Sequence, residues 1–281
     1  MPHATVRSGV SLYYEWHGDH DGDPVIFIRG TGADSSRWMP QVQEYAGRYR
    51  CLIFDNRGSG KSDAPAGPYS VDMMVDDAIG LMDALSIESA HLSGLSLGGA
   101  IAQAIALQAP ARVTTLQLHG TWARTYGYAR MYLSLLKRFL LEGGLDLYYE
   151  GALLYLFPPD YITEQPDRTA EILRAMKKNS SPEQGLLGQL DANLTHDVLD
   201  QLDQIAVPTL ITVGELDMCL PPYYARELHG AIRGSELVVF EGGSHLFGLQ
   251  DPATFNRVTL QWLDRQVAQL NGKGRGAQPP R

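Results

Sequence analysis

Apolar and polar positions along the chain follow two rhythms. Short apolar runs predict strands over residues 25–28, 50–54, 90–93, 113–118, 207–213 and 236–240. The run at 25–28 is continuous rather than alternating, as expected of a parallel strand covered on both faces by helices, and those at 50–54 and 90–93 read as buried strands too. Residues 10–16 alternate and carry aromatics, which suits an antiparallel edge strand. Helical spacing of apolar residues predicts helices over 35–49, 71–85, 100–108, 221–228 and 252–270. Strand and helix alternate on both sides of a long interruption. From 122 to 204 no strand pattern occurs, and residues 128–142, 145–156, 167–178 and 182–193 read as successive helices rich in Tyr, Leu and Phe. The expected class is α/β, a mostly parallel sheet flanked by helices. Residues 1–121 and 205–270 would form the core, 122–204 an inserted helical cap, and 271–281 a disordered Gly-, Pro- and Arg-containing tail.

The strand at 90–93 runs into Gly94-Leu95-Ser96-Leu97-Gly98-Gly99, followed by a helix-forming stretch. A serine at the tip of a sharp strand-to-helix turn sits in strained backbone geometry, so the residues two away on each side must be small. A serine hydroxyl also needs a base, and the base needs a group that fixes its tautomer. His245 follows the strand at 236–240 through Gly242-Gly243-Ser244, and Asp217 follows the strand at 207–213. Glu215 is the rival acid, disfavoured by its loop position. The strand at 25–28 ends in Arg29-Gly30-Thr31-Gly32, where the backbone N–H of Thr31, with that of Leu97, is placed to hold an oxyanion. Arg29, Gly30, His119, Trp122, Tyr128 and Phe157 are candidates for the pocket lining. The other histidines carry no expected role.

Asp55-Asn56-Arg57-Gly58-Ser59-Gly60-Lys61-Ser62 mimics a phosphate loop but has Asp55 where that pattern needs glycine. It is read instead as a structural turn braced by an Asp55–Arg57 pair.

Taken together, these motifs resemble the α/β-hydrolases of the capped esterase and lactonase type over nearly the whole length. Residues 67–70, Gly-Pro-Tyr-Ser, and the serine region loosely resemble enol-lactone hydrolases. The resemblance implies an α/β-hydrolase fold and a Ser96–His245–Asp217 triad acting on a small-molecule ester or lactone without metal or organic cofactor. C–C bond hydrolysis, perhydrolysis and ligand sensing by a receptor-like module are the alternatives the same motifs allow. One departure is Arg29-Gly30, where many relatives have His-Gly.

Composition narrows the partners. A formal net charge of −9 argues against a nucleic-acid binder, which would present a basic face. No apolar run approaches a membrane span, and the first residues lack a charged-then-apolar leader, so a cytoplasmic protein is expected. Cys51 and Cys219 are too few for a disulfide framework. Monomer and homo-oligomer are both compatible with the sequence.

Overall fold

The computed structural model describes residues 2–18 and 21–275, with side chains to residue 272. Among these residues the strands are β1 (His3–Thr5), β2 (Ser11–His17), β3 (Pro24–Ile28), β4 (Arg50–Phe54), β5 (Ala90–Leu95), β6 (Val113–His119), β7 (Thr209–Gly214) and β8 (Glu236–Phe240). They form one sheet in the order β1-β2-β4-β3-β5-β6-β7-β8. β1 and β2 are antiparallel, and every pairing from β3 onward is parallel. β3 to β7 are buried almost throughout, whereas β8, at the edge of the sheet, is half-buried to exposed.

The helices of the core are α1 (Met39–Tyr45), α2 (Val71–Ala84) and α3 (Leu97–Gln108), and the segment after β6 adds α4 (Gly127–Leu156), α5 (Pro159–Glu164), α6 (Pro166–Lys178) and α7 (Glu183–Thr195). After β7 come α8 (Pro222–Ala231), α9 (Phe247–Gln250) and α10 (Pro252–Arg275). Two apolar clusters flank the sheet. The larger contains α2, α3 and the inner faces of α4 and α7, and the smaller packs Trp38, Tyr45 and Phe27 against Phe255, Trp262 and Leu263 of α10.

Several expectations need correction. The single helix expected over 35–49 is a 3-10 turn, Ser35–Trp38, followed by the short α1, with Asp34 accepting the Ser36 N–H at 3.0 Å as the turn's cap. The expected tail begins too early, because α10 continues to Arg275, and the rest of that stretch lies outside the described residues. In α4 the backbone leaves helical geometry at Gly144 (φ 67°, ψ −166°), which accounts for the sequence reading as two helices there. Asp55 and Arg57 do not pair with each other. Asp55 accepts the backbone N–H groups of Ser35 (2.6 Å) and Lys61 (2.8 Å), whereas Arg57 makes a two-pronged ion pair with Asp77 of α2 at 2.5 and 2.6 Å. Both braces hold the loop, from opposite sides.

Candidate active site

β5 delivers Ser96 to the carboxyl edge of the sheet, and α3 leads away from it. Ser96 has φ 54° and ψ −119°, a region that side-chain-bearing residues rarely occupy. The turn is held by its backbone: Ser96 N–H donates to His119 O (2.9 Å), while Ser96 O accepts from Gly99 N–H (2.9 Å) and from Thr121 Oγ1 (2.8 Å). The flanking glycines are required by contact. A Cβ on Gly94 would stand 2.4 Å from Gly98 O, and one on Gly98 would stand 2.1 Å from Ile28 O.

β7 and β8 bring the other two groups. His245 Nδ1 lies 2.8 Å from Asp217 Oδ2, with both side chains buried. Asp217 Oδ1 accepts the N–H groups of Cys219 (2.9 Å) and Leu220 (2.8 Å), so the carboxylate has a donor on each oxygen and a fixed plane. Gly120 underlies the pair, since a Cβ there would lie 3.2 Å from Asp217 Oδ2. Glu215, the rival acid, is exposed and accepts from Gly242 N–H at 3.0 Å.

The loop after β3 completes the floor. Gly32 N–H donates to Gln189 Oε1 (2.7 Å) and Ala33 N–H to Gly30 O (3.4 Å). Asn193 Nδ2 donates to Thr31 Oγ1 at 2.8 Å. The Thr31 N–H itself, and that of Leu97 at the first position of α3, have no acceptor among the described residues. Free first-turn amides carry the positive end of the helix dipole, so Leu97 adds favourable potential for an anion. Gln189 and Asn193 were missed at the sequence level. Their four-residue spacing puts them on one face of α7, a signal that could have marked them as a polar stripe within an otherwise apolar helix face.

Ser96 and His245 line one cavity of about 110 Å³ together with Arg29, Gly30, Thr31, Trp122 and residues of α4, α6 and α7. Its apolar wall comes chiefly from Leu133, Leu136, Ala152, Leu156 and Leu190, with Tyr132, Tyr148 and Tyr149 beside them. Three sequence candidates fall elsewhere. His119 is fully buried inside the sheet, bonded to Thr212 Oγ1 (2.7 Å) and Ser93 Oγ (3.1 Å), and burial followed by the charge of Arg29 lowers its pKa to about 3. Tyr128 sits in the exposed first turn of α4, its hydroxyl on Met218 O. Phe157, just past α4, stacks on Tyr161 at 4.8 Å between centroids, and its neighbour Leu156 faces the cavity instead.

Arg29 is 4% exposed, and burial followed by the nearby charge of Arg37 lowers its pKa to about 9. Among the described residues Asp217, Cys219 and His245 are the group whose ligand-type atoms converge, within 4.8 Å. Those atoms already bond to protein. Asp217 holds His245, and Cys219 Sγ contacts Tyr132 Oη (3.2 Å) and Tyr155 O (3.3 Å). Burial, then the charge of Asp217, pushes the Cys219 thiol well above its ordinary pKa, which disfavours the thiolate a metal would need.

A family model described as the alpha/beta hydrolase fold matches residues 23–252. The chain belongs to that family. Among its relatives, a protein of Azorhizobium caulinodans named "Putative carbamate hydrolase RutD" is 32% identical over 260 residues, covering 92% of this chain and 97% of the relative. Among solved structures, a hydrolase from Pseudomonas aeruginosa PA01 superposes with TM-score 0.86 at 30% identity, covering 93% of this chain and 97% of that one. The enol-lactonase from Burkholderia xenovorans LB400 superposes with TM-score 0.85 at 29% identity, over 94% of this chain and all of that one. No helix among the described residues is long and apolar enough to cross a membrane.

Proposed function

We propose that this α/β-hydrolase cleaves a small or medium carboxylic ester or lactone through an acyl-enzyme on Ser96. Ser96 Oγ attacks the carbonyl carbon and His245 takes its proton. Asp217 holds the imidazole with Nδ1–H toward itself and Nε2 free to act as base. The N–H groups of Thr31 and Leu97 receive the oxyanion of the tetrahedral intermediate. His245 then protonates the leaving alkoxide, and water, activated by the same base, hydrolyses the acyl-enzyme.

The observation that carries this reading is the convergence on one cavity of a strained serine, a histidine fixed by a buried carboxylate and the acceptor-free amide of Thr31. The apolar wall of α4 and α7 favours an acyl or ring portion with hydrocarbon character. The enol-lactonase likeness supports the lactone form.

A second reading, a carbamate as substrate, is favoured by the name of the Azorhizobium relative. A carbamate offers the same carbonyl to the same nucleophile, so the cavity decides between them by what it can fill. A carbamate without an apolar substituent would leave most of this wall uncovered.

The test is a fluorophosphonate probe with mass mapping, followed by a panel of esters, lactones and carbamates of graded size. Labelling confined to Ser96, and losses of roughly 10³–10⁶ in kcat for Ser96→Ala and for His245→Ala, are expected. An adduct on another serine, or none, overturns the assignment.

A further inference from the structure

Arg29 is a buried cation, and its immediate contacts do not neutralise its charge. Among the described residues no carboxylate lies within 4.0 Å of its guanidinium and no acceptor bonds to it. Its Nε is sealed off unpartnered, although the residue is 4% exposed. The charge is offset in part by Trp38, whose ring centre lies 5.0 Å from Cζ, and by the more distant carboxylate of Asp34. A single cation–π contact recovers only part of the hydration that a buried guanidinium gives up, and it satisfies none of the N–H donors.

Arg29 lines two cavities at once. One is the large cavity around Ser96. The other, only about 10 Å³, has Trp38 and Gln41 in its wall and shares Leu95, His245 and Leu246 with the first. Arg29 therefore stands where the two spaces adjoin. Arg37, on the rim of the large cavity, adds a second positive charge. A planar fork of N–H donors matches a carboxylate in shape and charge.

We propose that Arg29 forms a carboxylate-binding site beside the reacting centre. The site rests on the serine-hydrolase reading only for its purpose, not for its existence. If the substrate supplies the anion, the substrate class narrows to esters or lactones that carry a carboxylate near the reacting carbonyl.

The experiment has a binding arm and a kinetic arm. Sodium formate is titrated into wild type, Ser96→Ala, Arg29→Lys and Arg29→Met, read by tryptophan fluorescence because Trp38 lies under the guanidinium. Saturable binding is expected in wild type and Ser96→Ala, weakened binding in Arg29→Lys and none in Arg29→Met, with circular dichroism confirming that each variant is folded. In the kinetic arm, the para-nitrophenyl monoester of glutaric acid is compared with the neutral pentanoate. A charge-assisted pair predicts about ten- to a hundred-fold preference in kcat/KM for the acid ester, abolished in Arg29→Met. That preference assigns the site to a substrate carboxylate, whereas equal rates with formate binding intact assign it to a free carboxylate. Absence of formate binding in folded wild type, or equal binding in Arg29→Met, overturns the proposal. Loss of turnover with formate binding retained in Ser96→Ala touches only the hydrolase reading.

Discussion

Replacing Ser96 by glycine should remove activity and raise stability. At φ 54° and ψ −119° the strain arises from Cβ meeting the backbone, so it depends on having a side chain at all and not on the hydroxyl. A residue held in such a region costs on the order of 1–3 kcal/mol. The bonds around it use the backbone of Ser96, paired with His119 O, Gly99 N–H and the Thr121 hydroxyl, so they survive the substitution and keep the turn in place. Against the relief stands the extra freedom glycine gives the unfolded chain, about 0.5–1 kcal/mol. The net gain is about 0–2.5 kcal/mol, centred near 1. Ser96→Ala is the proper reference, because it loses the hydroxyl equally but keeps Cβ and hence the strain. For a chain of this size about 1 kcal/mol moves Tm by roughly 2 °C, so Ser96→Gly should melt a few degrees above Ser96→Ala. Urea unfolding at equal m-values, with both variants inactive toward esters, supplies the comparison. A glycine variant no more stable than the alanine variant would refute the claim that strain is stored at this residue.

Two further predictions concern groups outside the site. The side chains of Arg57 and Asp77 are 8% and 3% exposed, so Arg57→Met should cost about 3–5 kcal/mol by stranding a buried carboxylate, and adding Asp77→Leu should recover much of it. A denaturation cycle in which the double variant is as unstable as the sum of the singles would count against this pairing. Burial lowers the pKa values of His91 and His196 to about 4 and of His119 to about 3, so all three fold as neutral rings and take up protons on unfolding. Their contribution is therefore complete above the unfolded histidine value of about 6.5 and is lost as pH falls toward 4, with a slope approaching roughly 4 kcal/mol per pH unit near pH 5. Urea midpoints measured between pH 7 and 4.5 should show His91→Gln with a shallower slope than wild type, and an unchanged slope would contradict the burial argument.

What could be read from the chain, and what could not, divides along one physical line. Ser96, Asp217 and His245 were legible because each follows an apolar run and a glycine-containing turn, and a parallel sheet places the ends of such runs side by side. The order of strands did not have to be known for the loops to be neighbours, only that they end at the same edge. Asp217 was distinguished from Glu215 by two residues of loop, and the structure separates them as a buried partner of His245 and an exposed acceptor for Gly242. The partner of Arg57 was not legible. Asp55 was nearer in sequence, but its carboxylate is taken by the amides of its own loop and of Ser35, and the free carboxylate belongs to a helix twenty residues on.

The helical segment failed for a different reason. Periodicity says which residues of α4 share a face, but not what that face meets along its length. Tyr128 and Tyr132 are one turn apart and nearly stacked, with interplanar angle 12°, yet only Tyr132 borders the cavity, because the first turn of α4 projects beyond it toward Met218. Phe157 and Leu156 are adjacent, and the change to extended backbone at Phe157 sends the aromatic ring to Tyr161 and leaves the leucine at the wall. The same limit hid Gln189 and Asn193, whose roles depend on α7 lying across the loop after β3. That contact ties the segment to the serine's surroundings, since the two side chains hold Thr31 and Gly32 just after the free Thr31 amide. A change on the cavity face of α7 is thus transmitted to the loop that carries the Thr31 amide, so the segment that lines the pocket also sets the geometry at which a carbonyl would be received.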